Sequence, residues 1–139
     1  MARDAISING PGTSTATLQI ADNTIVGSGR HGINIVTRDN ESVNIIGNVN
    51  SVIGSGGDGL HMETYGNSTL TVNTGNSQFD SNTARGVKGI SSDASTLNFT
   101  LGSPAANVFG RSSASNNGGP GTALTRSTPP CRTSTLTMS

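Results

Sequence analysis

"NTIVGSGRHGINI", residues Asn23–Ile35, brackets a loop of three glycines and a histidine with apolar pairs. Laid over "NSVIGSGGDGLHM", residues Asn50–Met62, it recurs at a shift of 50 − 23 = 27. Asn, Gly, Ser, Gly and Gly are identical, and Ile25/Val52, Val26/Ile53, Ile33/Leu60 and Ile35/Met62 stay apolar. A looser copy, "NSQFDSNTARGVKGI" (Asn76–Ile90), carries Gly86 and Val87 in the same register. Between these loops a second element repeats: "ESVNI" from Glu41, "STLTV" from Ser68 and "STLNF" from Ser95, again 27 apart. Its earlier relative, "ATLQI" from Ala16, reads as two residues out of register. A fixed period of this length marks a chain built from stacked repeats.

Each short element alternates with period two, which is the strand pattern. In "STLTVN", Leu70 and Val72 share one face and Thr69 and Thr71 the other. Short strands split by Gly and Asn turns predict an all-β coil that stacks on itself. The glycines Gly32, Gly59 and Gly86 open a strand after a sharp corner, where positive φ or close backbone approach excludes a Cβ. Composition agrees. The apolar fraction is 31% and aromatics are 3%, well below the 45–50% apolar content, Gly included, of globular domains. Gly, Asn, Ser and Thr fill the gap, as in chains of many turns. Formal net charge is zero, with 8 basic and 8 acidic residues, which gives no pull towards nucleic acid or an anionic membrane. Cys131 is alone, so no disulfide framework or Cys-based zinc site is expected. No apolar run has the length of a membrane span. "MARDAISING" lacks the apolar segment of a signal peptide.

At "NTIVGSGRHGINIV" and "GGDGLHM" the sequence resembles the right-handed parallel β-helix, or pectin-lyase-like, repeat family. The resemblance spans roughly residues 15 to 110 and implies a short right-handed solenoid of about four coils with a 27-residue period. Residues 1–14 read as an irregular segment or partial coil, and 111–139, with Pro120, Pro129 and Pro130, as an irregular or disordered tail. The expected inward columns are Leu18/Val43/Leu70/Leu97, Ile20/Ile45/Val72/Phe99 and Ile33/Leu60/Val87. The expected outward hydroxyl column is Thr17/Ser42/Thr69/Thr96, with Thr71 beside it, and Asn40 and Asn67 form an amide ladder at a turn.

The family includes polysaccharide lyases and hydrolases as well as adhesins and large bacterial surface proteins. "SGRHGINI" is similar to a polygalacturonase histidine turn, which makes His31, with Asp58 one coil on, the catalytic candidates. That family pairs its histidine with several aspartates and a basic motif, which are missing here. Asp58, Glu63 and Asp80 fall on different faces in this reading, and His61 aligns with Asn34 rather than His31, so no shared metal site and no cofactor are expected. Calcium, held by turn aspartates and carbonyls, is the one cation left open. The expected function is a non-catalytic structural or adhesive segment of a larger exported or cell-surface protein. Its partners would be polysaccharide or neighbouring coils of the parent protein. Two other readings stay open: a truncated pectin-lyase-like lyase or hydrolase, and a glycan- or ice-binding face made by Thr17, Ser42, Thr69, Thr71 and Thr96.

Overall fold

The computed structural model describes residues 2–10, 12–102, 108–109, 122–127 and 133–138. The strands come in groups of three. β1 (Ile6–Asn9), β2 (Thr15–Ala21) and β3 (Thr24–Val26) are followed by β4 (Ile33–Thr37), β5 (Ser42–Asn48) and β6 (Ser51–Ile53). Next come β7 (Leu60–Thr64), β8 (Thr69–Gly75) and β9 (Gln78–Asp80), then β10 (Val87–Ser92), β11 (Thr96–Gly102) and β12 (Val108–Phe109). β13 (Thr122–Ser127) and β14 (Thr133–Met138) complete the order. Every pairing is parallel, in three sheets ordered β1-β4-β7-β10-β13, β14-β11-β8-β5-β2 and β12-β9-β6-β3. The chain is an all-β parallel solenoid with a period of ~27 residues and about three turns. The strict period ends after β11: 108 − 78 = 30 at β12, 122 − 87 = 35 at β13 and 133 − 96 = 37 at β14.

Apolar residues on alternate positions build the core. Ile33, Leu60 and Val87 stack in register, as expected, with Ile6 above them. Val43, Leu70 and Leu97 form a second column, and Ile45, Val72 and Phe99 a third. Ile25, Val52 and Phe79 close the third side. All of these except Ile6 are buried. The first coil corrects one expectation. Leu18 pairs with Ile45 and Thr17 with Asn44, so the 27-residue spacing holds there too. The hydroxyl column is therefore Thr15/Ser42/Thr69/Thr96, and Thr17 belongs with Asn44, Thr71 and Asn98. In a strand a two-residue slip keeps every side chain on its own face, so alternation could not tell the two registers apart. Leu18, on the end strand of its sheet, is left 37% exposed.

Each turn of the solenoid bends at three corners, and each corner holds a left-handed residue that recurs in register. One corner uses Gly12, Asp39, Gly66 and Asp93, a second Asp22, Val49 and Asn76, and a third Gly27, Gly54 and Ser81. Gly32 and Gly59 serve a different purpose. A Cβ on Gly32 would meet Val52 Cγ1 and the Gly59 carbonyl, and one on Gly59 would lie 2.6 Å from the Gly86 carbonyl. They allow close approach between coils, not a positive φ.

Small polar residues line the insides of the corners. Thr37, Thr64 and Ser91 are fully buried, beside buried Glu41, Ser68 and Ser95. Thr37 Oγ1 bonds Ser68 Oγ at 3.1 Å, and Ser95 Oγ donates to the Thr64 carbonyl at 3.0 Å. The amide ladder is at Asn23 and Asn50, not at the exposed Asn40 and Asn67. Asn23 Nδ2 donates to Asn50 Oδ1 at 3.0 Å, and Asn50 Nδ2 to the Ile20 carbonyl at 2.8 Å. Two segments of the stretch expected to be irregular, Thr122–Ser127 and Thr133–Met138, are strands paired on β10 and β11. The rest of that tail, with Cys131 and the three prolines, lies outside the described residues.

Candidate functional site

A group of charged residues and histidines converges where the corner after one coil enters the first strand of the next. Asp4, His31, Asp58 and Arg85 are each 27 residues apart and occupy the same corner position. Two columns on the outer face of the adjoining sheet flank them: Asn34/His61/Lys88 and Val36/Glu63/Ile90. His61 and Glu63 are two residues apart on β7, so the strand's own period puts them on one face. Asp58, three residues before His61, reaches it from the corner.

His61 Nδ1 lies 2.6 Å from Asp58 Oδ2, and His61 Nε2 lies 2.9 Å from Glu63 Oε1. Tyr65 Oη donates to Glu63 Oε2 at 2.8 Å. The His31 ring stacks on His61 with centroids 4.2 Å apart and 24° between planes. His31 Nδ1 is 3.6 Å from Asp58 Oδ2 and accepts the Asp58 backbone N–H at 3.0 Å. The backbone N–H of His31 donates in turn to Asp4 Oδ1 at 3.0 Å. Arg85 Nη1 stands 3.6 Å from Asp58 Oδ1, an oxygen that is buried and has no hydrogen bond.

Protonation follows from these contacts. Burial lowers the His61 pKa, but its hydrogen bonds to Asp58 and Glu63 and their charges outweigh burial and raise it. His61 is clamped between two carboxylates that favour its protonated form. Burial and then the charge of His61 lower the His31 pKa, outweighing Asp58 and Asp4. His31 is the neutral ring of the stack, with its proton on Nε2 because Nδ1 is an acceptor. Burial pushes the Asp58 and Glu63 carboxyls up, and hydrogen bonds with the charge of His61 more than reverse that, so both lie low. Burial, then Glu63, raises the Tyr65 phenol.

The structure brings His31 and Asp58 together as the repeat predicts. It corrects the separation of Asp58 from Glu63, because His61 bridges them. Asp80 stays apart, on β9 in another sheet. Sequence reasoning missed His61 and Glu63 as site members, although their i, i+2 spacing carried the signal, and Asp4, although 31 − 27 = 4. Its alignment of His61 with Asn34 holds, but it did not foresee the ring stack. The His61 ring stacks on His31, which precedes Asn34 by one corner. The outward Ser42, Thr69, Thr71 and Thr96 stand on the face of β5, β8 and β11, away from this cluster, and Asn98 Nδ2 reaches Thr71 Oγ1 at 3.5 Å. A cavity of about 10 Å³ between Ile20, Ile35, Ile45, Val72 and Phe79 is part of the apolar core. Among the described residues no helix is long and apolar enough to cross a membrane. Comparison with models of protein families, with curated proteins and with solved structures finds no match to this chain.

Proposed function

We propose that this chain is a non-catalytic, structural and adhesive solenoid segment of an exported or cell-surface protein, akin to the pectin-lyase-like repeats that its coils resemble. The observation that carries the reading is the state of the clustered acid–base groups His31, Asp58, His61 and Glu63 among the described residues. A general base needs a free lone pair and a general acid a proton near the working pH. Both nitrogens of His61 are bonded to carboxylates. Both carboxyls have pKa values below their ordinary range, so neither holds the proton that glycoside hydrolysis requires of one partner. The stacked outer columns Thr15/Ser42/Thr69/Thr96 and Thr17/Asn44/Thr71/Asn98 repeat hydroxyl and amide groups every ~4.8 Å, a regular surface for glycan contact.

The second reading, a carbohydrate-active enzyme, draws support from two carboxylates flanking one imidazole. A single experiment separates them. The full chain, with and without calcium, is incubated with polygalacturonate and related acidic polysaccharides, and glycan binding is measured in parallel. The structural reading expects no product release, and weak binding that Thr69→Lys with Thr71→Lys removes while His31→Ala leaves it intact. Turnover that vanishes in Asp58→Asn would install the enzyme reading instead.

A further inference from the structure

We propose that His31, Asp58 and His61 form a binding site for a zinc-class divalent transition-metal ion, with Glu63 as the outer partner that orients His61. The three residues each offer a donor atom, and these atoms all lie within 4.8 Å of one another. The pairs that share Asp58 Oδ2 are 2.6 Å (His61 Nδ1) and 3.6 Å (His31 Nδ1) long. A tetrahedral ion with bonds of about 2.0–2.2 Å holds its ligand atoms about 3.3–3.6 Å apart. One pair already has that spacing, and the other opens by less than about 1 Å when the ion takes the place of the proton between Nδ1 and Oδ2. That proton leaves to solvent.

Three further features fit a cation. His61 presents Nδ1 to the site because Nε2–H is held by Glu63 Oε1 at 2.9 Å, and Tyr65 fixes Glu63. This is the carboxylate–histidine arrangement that fixes the tautomer of metal-bound histidines. Asp58 is 2% exposed, and its Oδ1 has no hydrogen bond. Residue 57 is a glycine whose Cβ would stand 2.8 Å from His31 Nδ1, so the missing side chain keeps that nitrogen clear. The His31 side chain is 14% exposed, which gives an ion access and leaves room for water as a fourth ligand. The hydrogen bond from the Asp58 amide to His31 Nδ1 is given up on binding. Arg85, with its side chain 35% exposed, can swing away from Asp58. Two imidazoles with one carboxylate select Zn2+, Co2+ or Ni2+ over the hard ions Ca2+ and Mg2+.

The inference stands apart from the structural reading above, since a metal can bind without any turnover. The test uses the full, tag-free chain stripped with chelator and titrated with ZnCl2 and CoCl2, with CaCl2 as the control. One Zn2+ per chain is expected, with intense visible bands of four- or five-coordinate Co2+ and no competition from Ca2+. Glu63→Gln should lower affinity by roughly 10–100-fold, and His31→Ala by more, while Asp93→Asn on an exposed corner changes nothing. Far-UV circular dichroism confirms that each variant keeps its strands. Should His31→Ala fail that check, Gly57→Ala, whose Cβ would crowd the Nδ1 and Cε1 edge of the His31 ring and the Arg30 carbonyl, takes its place under the same check. Equal Zn2+ affinity in the wild type and the folded variant, or a six-coordinate Co2+ spectrum, overturns the site.

Discussion

At the scale of single residues, the corners and the histidine stack determine how this chain answers to change. Val49 occupies the left-handed region at φ 54, in register with Asp22 and Asn76. A β-branched side chain is a poor fit there, and αL costs an L-residue about 1–2 kcal/mol. Asparagine tolerates the same conformation. Val49 is 47% exposed, so little packing is lost with it. Val49→Asn should stabilise the fold by about 1 kcal/mol and raise the urea midpoint at unchanged slope. A midpoint that stays put or falls refutes the strain argument. The stack gives a pH dependence, measured with chelator present so that a proton occupies the site. His61 has a folded pKa above 6.5, so its contribution is complete below 6.5 and fades as pH rises through the folded value. His31 has a folded pKa below 6.5, so the unfolded chain binds its proton first and stability falls as pH drops from 6.5. Asp58 and Glu63 lie below 3.8 and 4.5, and their contribution is lost as pH falls through the folded values. The urea midpoint should therefore peak near about pH 6.5 and decline on both sides. In His61→Gln the alkaline decline should disappear, and its persistence would clear His61 of the role. These contacts were only half legible in the sequence. The 27-residue shift forecast His31 over Asp58. Nothing in it forecast that His61 would turn back across a corner to stack on a residue of the previous coil, because side-chain direction at a corner is not periodic.

At the scale of elements, short strands hold only because equivalent strands stack. β3, β6 and β9 have three residues each, too few to stand alone, and each contributes one inward residue: Ile25, Val52 or Phe79. Phe79 is fully buried, beside the small core cavity. Phe79→Ala removes a ring from a site that the parallel ladders cannot collapse around. A loss of about 3–5 kcal/mol is expected, a large part of the roughly 5–15 kcal/mol that holds a domain together. Urea unfolding of the variant checks it, and a loss under about 1 kcal/mol would mean that this side of the solenoid is not part of the core. The strands and their inward columns were readable from period-two alternation, and from β4 to β11 the register was readable from the repeat. In β2 it was not. Ala16, Leu18 and Ile20 fit the inward face equally well whether Leu18 sits on Val43 or on Ile45. The corner settles the matter, where the Asp22 N–H bonds the Asn48 carbonyl and Asn23 bonds Asn50, both at 3.0 Å. β13 and β14 escaped notice because their spacings of 35 and 37 leave the period that identified every other strand.

At the scale of the whole molecule, a solenoid is nearly one-dimensional, and each coil interacts mainly with its neighbours. One complete period should therefore be removable. Excision of Ile45–Thr71, which is 71 − 45 + 1 = 27 residues, joins Asn44 to Val72 inside one strand. Val43 and Val72 then still face inward, Val87 comes to lie on Ile33, and Phe79 on Ile25. The shortened chain should keep a β-rich far-UV spectrum and one cooperative urea transition. Its slope should fall by roughly a fifth, in step with the surface buried. Midpoint and stability should fall as well, because one coil-to-coil interface is gone. Excision of Ile45–Leu70 removes almost the same mass but one residue fewer than a period. It joins Asn44 to Thr71 and points Val72 towards solvent unless the strand bulges. That variant should unfold at distinctly lower urea or lose its cooperative transition. If both excisions behaved alike, the register of the inward columns would not be what holds the coils together. The 27-residue excision also removes Asp58, His61 and Glu63 while keeping His31, so it should fold without binding Zn2+. The stacking of coils and the chemistry of the histidine cluster are thereby separated in one protein.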